Sequence, residues 1–324
     1  MEWYKEYLYS GRGSIGLATF YRHFWISKYR RTASTKLYDD FLKEKTLKNS
    51  EQCKAFLKEM FLNAKYYMQI IDPKLADYDN KKEYAWLVQS LKNIIHDFNI
   101  VQVRIALLSL YFVKEKGLIS TKQFKRTILY LERFHYAYNT VLALSPNKLE
   151  TIYSAFAIEV RKSNSKEETA RIIENKLIQP LEKIYPDETK FCESFVKMVY
   201  SKKDMSSNIK TRYAINMLNC FYSDKELFEP DGSIEHLCPE ANGEFALNIG
   251  NLILLELKLN NDAGEKDYRE KMRNFYNKSQ YKWVQTFLEK YPDWNESMIA
   301  DRAKMMAETF YRHILRQGMI PYGL

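Results

Sequence analysis

The order of residues from Ile234 to Asn277 constrains the fold of this chain more tightly than any other segment. Glu235 and His236 stand side by side, Pro239 follows three residues after the histidine, Asn251 fifteen after it, and Asn260 nine after that. Adjacent strand residues point to opposite faces, so Glu235 and His236 share one site only where the strand ends in a turn or bulge. Pro239 supplies such an exit, because proline cannot donate to a sheet ladder. The run Asn251-Leu252-Ile253-Leu254-Leu255-Glu256 is short, apolar and flanked by polar residues, which predicts the returning strand. Leu259-Asn260-Asn261-Asp262-Ala263-Gly264 then reads as a loop. Glu265 to Asn277 has helical spacing, with Tyr268, Met272, Phe275 and Tyr276 on a common side.

These residue types match the demands of phosphodiester hydrolysis. That reaction needs a base to deprotonate water, and a divalent cation to neutralise charge on the phosphoryl group and the departing 3′ oxygen. His236 suits the first task, since imidazole is largely neutral near pH 7 and still accepts a proton. Glu235 and Asn260 suit the second, because Mg²⁺ prefers oxygen ligands and keeps several waters. His23, His96, His135 and His313 lie in helical stretches with no acid-histidine partner at ligand spacing, and read as structural.

The segment from about Ser233 to Arg316 resembles the C-terminal HNH-type domain of the GmrSD family of modification-dependent restriction endonucleases. The residues that carry the resemblance are Glu235-His236-Leu237-Cys238-Pro239, Gly250-Asn251-Leu252 with Leu254-Leu255, Leu259-Asn260, Tyr268 with Lys271, Tyr276, and a late Trp294 with Ile299 and Arg302. The stretch from Phe20 to Tyr29, leading to Lys36-Leu37-Tyr38-Asp39-Asp40-Phe41, is similar to the start of the helical middle region in the same family. The resemblance implies a ββα-metal finger in which His236 is the general base and Glu235 and Asn260 hold one Mg²⁺ or Mn²⁺. It implies that Asn251 braces the loop carrying His236, and that Lys271 contacts a substrate phosphate. The implied substrate is double-stranded DNA, foreign and modified, and a double-strand break would need a second protomer, as in a homodimer, or a second visit.

Members of that family usually begin with a ParB-like nucleotide-binding domain. Its absence from this sequence implies a fragment, or the effector half of a split system whose ParB-like part is a separate subunit. The glycine-rich stretch Ser10-Gly11-Arg12-Gly13-Ser14-Ile15-Gly16 lacks the Gly-Lys-Ser/Thr ending of a P-loop and reads as a turn before a helix.

Elsewhere the chain says helix. Only 10 glycines and 8 prolines punctuate 324 residues rich in Leu, Lys, Glu, Tyr and Phe, which excludes an all-β fold. Apolar periodicity predicts helices over 15–29 with Ser14 as N-cap, over 36–45, and from an N-cap at Ser50 through Ile71 to the stop at Asp72-Pro73. Further helices are predicted near 80–97, 99–116, 121–144, 147–162, 165–185, 189–202 and 208–223. The expected fold is mainly α: a helical domain over 1–200, then a nuclease domain over 201–324 with its finger at 232–277 and C-terminal helices at 278–317.

Charge divides along the same line. Residues 201–324 hold 17 Lys+Arg against 18 Asp+Glu, leaving 33 against 23 of the chain's 50 and 41 in residues 1–200. A net +10 on the helical part suits a phosphate backbone. Lys28, Arg30, Arg31 and Lys36, and Lys122, Lys125 and Arg126, are the candidate DNA contacts, against the bland reading of solvated helix faces. Cys53, Cys192, Cys220 and Cys238 are scattered without C-x-x-C pairs, so neither zinc nor a disulfide framework is expected, and Cys238 reads as a small buried residue. No signal peptide and no apolar run near the ~20 residues of a membrane span are present, which predicts a cytoplasmic protein away from membranes. The competing reading is a non-catalytic helical module that binds DNA or protein and keeps a degenerate finger as structure.

Overall fold

The computed structural model describes residues 16–44, 48–203 and 208–316, and Ser14 lies outside them with most of the glycine-rich stretch. Two compact units emerge: one holds the described residues up to His135 together with Leu144–Tyr185, the other Tyr136–Ala143 and the described residues from Pro186 onward.

The first unit is all helix. Its elements are α1 (Leu17–Lys28), α2 (Leu37–Lys43), α3 (Ser50–Ile71), α4 (Ala85–Lys92, carried on by a wider turn to Asp97), α5 (Val103–Glu115), α6 (Thr121–His135), α7 (Leu149–Val160) and α8 (Lys166–Ile172, extended by further turns to Glu182). Asn49 rather than Ser50 caps α3: its side chain accepts from the Gln52 amide, while Ser50 is already helical. Helix α5 is buried almost all round, with Ile105, Ala106, Leu107, Leu108 and Leu110 sealed from solvent. An apolar helix of that kind must be covered on several sides, and α1, α3 and α7 pack against it.

Two buried polar side chains inside this unit find partners within it. Arg161 donates to Ser109 Oγ at 2.9 Å and Asn63 Oδ1 at 2.7 Å, and lies over the Phe112 ring at 4.5 Å. His23 is buried and hydrogen-bonds the Tyr67 hydroxyl through Nδ1 at 2.8 Å.

In the second unit α9 (Glu188–Phe195) and α10 (Asn208–Ser223) precede a hairpin of β1 (Gly232–His236) and β2 (Leu252–Glu256). The strands pair antiparallel, with Ile234 opposite Leu254, Glu235 opposite Ile253 and His236 opposite Leu252. They form the one sheet among the described residues, so the fold is mainly α with a small ribbon. After β2 come α11 (Leu257–Ala263), α12 (Tyr268–Asn274), α13 (Lys282–Lys290) and α14 (Glu296–Thr309, running on to Leu315). Ile253, Leu254 and Leu255 are buried because α10, α11 and α13 cover β2. Phe191, Phe195, Tyr136, Tyr213 and Phe310 stack into a second aromatic core, with centroids 4.3–6.5 Å apart where they meet.

Three local expectations change here. Residues 259–264 are not a loop: α11 starts directly after β2, and Asn260 rides on it. The helix expected over 265–277 is shorter, beginning after the Asp267 cap and ending at Asn274, with a tight turn over Tyr276–Lys278. Helix 189–202 likewise stops at Phe195, because Val199 leaves to bridge Asn248.

His23 yields a stability test. Burial first, then Arg104 and Arg22, push its pKa down to about 3, with Glu150 opposing. The unfolded histidine takes a proton near pH 6.5, so the unfolded state binds more protons between those values and stability falls as pH drops through that window. Between pH 7 and pH 5 we expect wild type to lose about 2 kcal/mol more than His23→Gln in urea unfolding. Equal losses in both proteins would remove His23 as the cause.

Candidate active site

The hairpin is short, so its chemistry depends on what grips the loop between its strands. Asn251 does this with a saturated carboxamide. Its Oδ1 accepts from the Cys238 amide at 2.9 Å and from Trp294 Nε1 at 3.0 Å, while its Nδ2 donates to the Cys238 and Ala246 carbonyls at 2.8 Å each. The Leu237 amide donates to the Asn251 carbonyl at 2.9 Å, extending the ladder past His236. Asn251 therefore has no polar atom left for a ligand, and it holds the segment that follows His236.

Arg302 supports the same turn from α14. It is buried, and its Nη1 donates to the Gly250 and Leu252 carbonyls at 2.6 and 2.8 Å, on either side of Asn251. The rings of Phe287, Trp283 and Trp294 surround its guanidinium at 4.8–5.8 Å. Gly250 is required by this contact: a Cβ there would stand 2.0 Å from the Ile299 carbonyl oxygen of α14.

His236 closes β1, and its ring turns to the segment after α9. Nε2 lies 3.0 Å from the Tyr200 carbonyl oxygen. A carbonyl only accepts, so Nε2 carries the proton and Nδ1 is the basic nitrogen. Backbone pairing fixes that carbonyl, with the Tyr200 amide donating to Leu247 O and the Ile249 amide to Met198 O, both at 2.9 Å. Burial lowers the His236 pKa, against the opposing pull of the Tyr200 carbonyl and of the Glu240 and Glu235 carboxylates. Glu240 is itself held by Ser201 Oγ at 2.6 Å and the Lys202 amide at 3.2 Å.

Glu235 faces other elements, as alternation along a strand requires. Its Oε1 accepts from the Tyr276 hydroxyl at 2.8 Å and stands 2.8 Å from Lys271 Nζ. Burial, then the Glu235 carboxylate, pushes the Tyr276 phenol far above its ordinary value, so it remains a donor. Lys271, expected at a substrate phosphate, is instead enclosed: 1% exposed, it also donates to the His236 carbonyl at 2.7 Å. The physical reason is the buried carboxylate beside it, which needs a positive partner.

Asn260 reaches back from α11, with Nδ2 donating to Ser233 Oγ and the Ile234 carbonyl, both at 3.0 Å. Glu235 and Asn260 thus flank β1 through separate partners. Among the described residues no group of three or more His, Cys, Asp or Glu side chains could hold a metal. A carboxylate already joined to an ammonium does not fit a divalent cation as it stands. Cys238 is half-buried rather than fully enclosed, and it serves through its backbone.

The basic candidates of the first unit are mostly engaged. Lys28 pairs with Glu59 at 2.5 Å, Arg30 with Asp40 at 3.1 Å, and Arg31 with Glu150 at 2.9 Å. Lys125 lies over the Trp86 ring at 5.0 Å, and Arg126 is half-buried. Lys36 and Lys122 are exposed.

Sequence reasoning missed the Tyr200 carbonyl, the Glu240 and Ser201 pair, and the parts played by Tyr276, Trp294 and Arg302. The last three stand among the residues of the resemblance, so their order was the available signal. Nothing in sequence marks Tyr200, which acts through its backbone.

The family model described as the C-terminal domain of GmrSD restriction endonucleases matches residues 185–309. No curated protein matches the chain. The matched segment starts well before Ser233 and so includes α9, α10 and the Tyr200 carbonyl, and its start adjoins that of the second unit's main span at Pro186. Among the described residues no helix is long and apolar enough to cross a membrane.

Removing the brace should cost more than one hydrogen bond. Asn251→Ala leaves four partners unpaired in a buried turn, and a loss of roughly 3 kcal/mol or more is expected in urea unfolding. Trp294→Phe, which removes one of those bonds and keeps an aromatic ring, should lose about 1 kcal/mol. A loss no larger for Asn251→Ala than for Trp294→Phe would contradict the brace.

Proposed function

We infer, from the premise that residues 185–309 form a GmrSD-type restriction endonuclease C-terminal domain, that this chain hydrolyses phosphodiester bonds in DNA as a nuclease of the HNH kind. The observation that carries the reading is the state of His236. It sits at the end of β1 with Nε2–H committed to a backbone carbonyl, its pKa lowered by burial, and Nδ1 left as the proton acceptor. A neutral imidazole held in one tautomer is what a general base for water requires. Hairpin β1–β2 followed at once by α11 supports the ββα-finger reading.

The cation proposed for this chemistry, Mg²⁺ or Mn²⁺, would neutralise charge on the phosphoryl group and on the leaving oxygen. Glu235 and Asn260 are the residues proposed for it, but their present partners leave no site that fits, so no step is assigned to it. The remaining roles belong to side chains. His236 Nδ1 takes the water proton, the Tyr200 carbonyl fixes the tautomer, and Asn251 with Arg302 and Trp294 keeps the ring's supporting loop in place.

Double-stranded DNA, foreign and modified, is the proposed substrate, within a restriction or anti-phage defence setting in the cytoplasm. The helical part, residues 1–200 by charge and composition, is proposed to hold duplex through phosphate contacts. With Lys28, Arg30 and Arg31 ion-paired, that role falls first to Lys36 and Lys122. A ParB-like subunit and a second copy of the chain are the proposed partners, the latter because one base cuts one strand at a time.

Nicking of supercoiled plasmid with Mg²⁺ or Mn²⁺ tests the reading, on unmodified and on modified DNA. Wild type should nick, and His236→Ala should lose activity by about 10²-fold or more. Equal traces from both proteins would leave the non-catalytic DNA- or protein-binding module as the better account.

A further inference from the structure

Arg104, in the first turn of α5, is a buried cation without an anion. It is 8% exposed, its Nε–H is buried with no acceptor, and it forms no ion pair among the described residues. An ionised group withdrawn from water is costly unless a partner or a ligand compensates it.

The groups around it sharpen the imbalance. Arg104 lies beside the Tyr67 hydroxyl and acts on the His23 ring, as Arg22 does from α1. A guanidinium only donates, so the Tyr67 oxygen faces Arg104 and its hydrogen goes to His23 Nδ1 at 2.8 Å. His23 Nε2 therefore carries the ring's proton, and that N–H also lacks an acceptor among the described residues. Glu150, in the first turn of α7, brings a carboxylate to this place, but Arg22 and Arg31 both hold it, at 2.8 and 2.9 Å. Arg22 Nη1 and both Nη atoms of Arg31 remain without a partner among the described residues. Three arginines thus stand against one glutamate, an excess of two positive charges. The helices that begin here, α5 and α7, add their positive ends.

We propose that Arg104, Arg22, Arg31 and the His23 Nε2–H form a binding site for a terminal phosphate group. Such a group carries about two negative charges near neutral pH and oxygens that accept, matching both the charge excess and the unused donors. Guanidinium forks suit phosphate oxygens in particular. A phosphodiester inside a duplex carries a single charge and is flanked by sugars, so it neither balances the cluster nor reaches an arginine this enclosed. The ligand is a free phosphate or the phosphorylated end of a strand. The inference does not depend on the chemistry assigned to His236.

Thermal unfolding of the full chain tests it, with chloride exchanged for inorganic phosphate at constant ionic strength. About 10 mM phosphate should raise the wild-type Tm by at least ~2 °C over chloride. Arg104→Met, which removes the unpaired charge and keeps an apolar stem, should lose that gain. Arg31→Met, at a half-exposed side chain, should lose at least half of it. Lys54→Ala/Lys162→Ala, which removes exposed cations elsewhere on the unit, should keep all of it. No phosphate-specific gain in wild type, a gain kept by Arg104→Met, or one lost equally in the lysine variant overturns the proposal. If Arg104→Met is too unstable to compare, Arg31→Met decides, and full retention of the gain there overturns the proposal. A short DNA strand with a 5′-phosphate, set against the same strand with a 5′-hydroxyl, then identifies the source. A gain from the phosphorylated strand alone assigns the site to strand ends, and a gain from inorganic phosphate but neither strand assigns it to the free ion. Equal gains from both strands with inorganic phosphate silent are backbone binding, and they overturn the site.

Discussion

A two-stranded ribbon with five residues in each strand has too little cross-strand area to stand alone in water. Everything distinctive in the second unit follows from that shortfall. The turn end of the hairpin is tied by the Asn251 carboxamide, whose four partners lie at Cys238, Ala246 and Trp294. Arg302 holds the carbonyls on either side, and its own charge is surrounded by aromatic rings rather than by a carboxylate. Burial lowers its pKa to about 10, which still leaves it charged near neutrality. The apolar faces of β2 then disappear beneath α10, α11 and α13.

This arrangement also separates the two adjacent residues Glu235 and His236. His236 is addressed from the segment after α9, and Glu235 from α12 and the turn that follows. One strand end thus serves a basic nitrogen on one side and a neutralised carboxylate on the other. Lys271 touches both residues, the first through its backbone and the second through its side chain.

Much of the helical content was legible because few glycines and prolines interrupt a strongly periodic chain, and the hairpin was legible because Gly250, Asn251 and the apolar run after them have little freedom to mean anything else. Other features left no readable trace. Two consecutive asparagines and an aspartate made 259–264 look like a turn, since those side chains compete with helical hydrogen bonds, yet packing of α11 on the hairpin overrides that preference. Lysines on helices are normally solvated, so the burial of Lys271 could not be read from its spacing. The basic cluster near the first helix looked available because its acidic partners are remote: Arg31 meets Glu150, 119 positions away.

The brace also has a temporal meaning. Asn251 is made long before Trp294 and Arg302, the two groups from the C-terminal helical region that complete its surroundings. On a chain growing from its N-terminus, the hairpin can pair as soon as β2 has emerged, but the turn behind His236 stays loose until some fifty further residues have followed, Arg302 standing 52 positions after Gly250. The order of synthesis therefore postpones the finished geometry of this turn, and a chain cut short before α14 carries His236 without the scaffold that holds its loop.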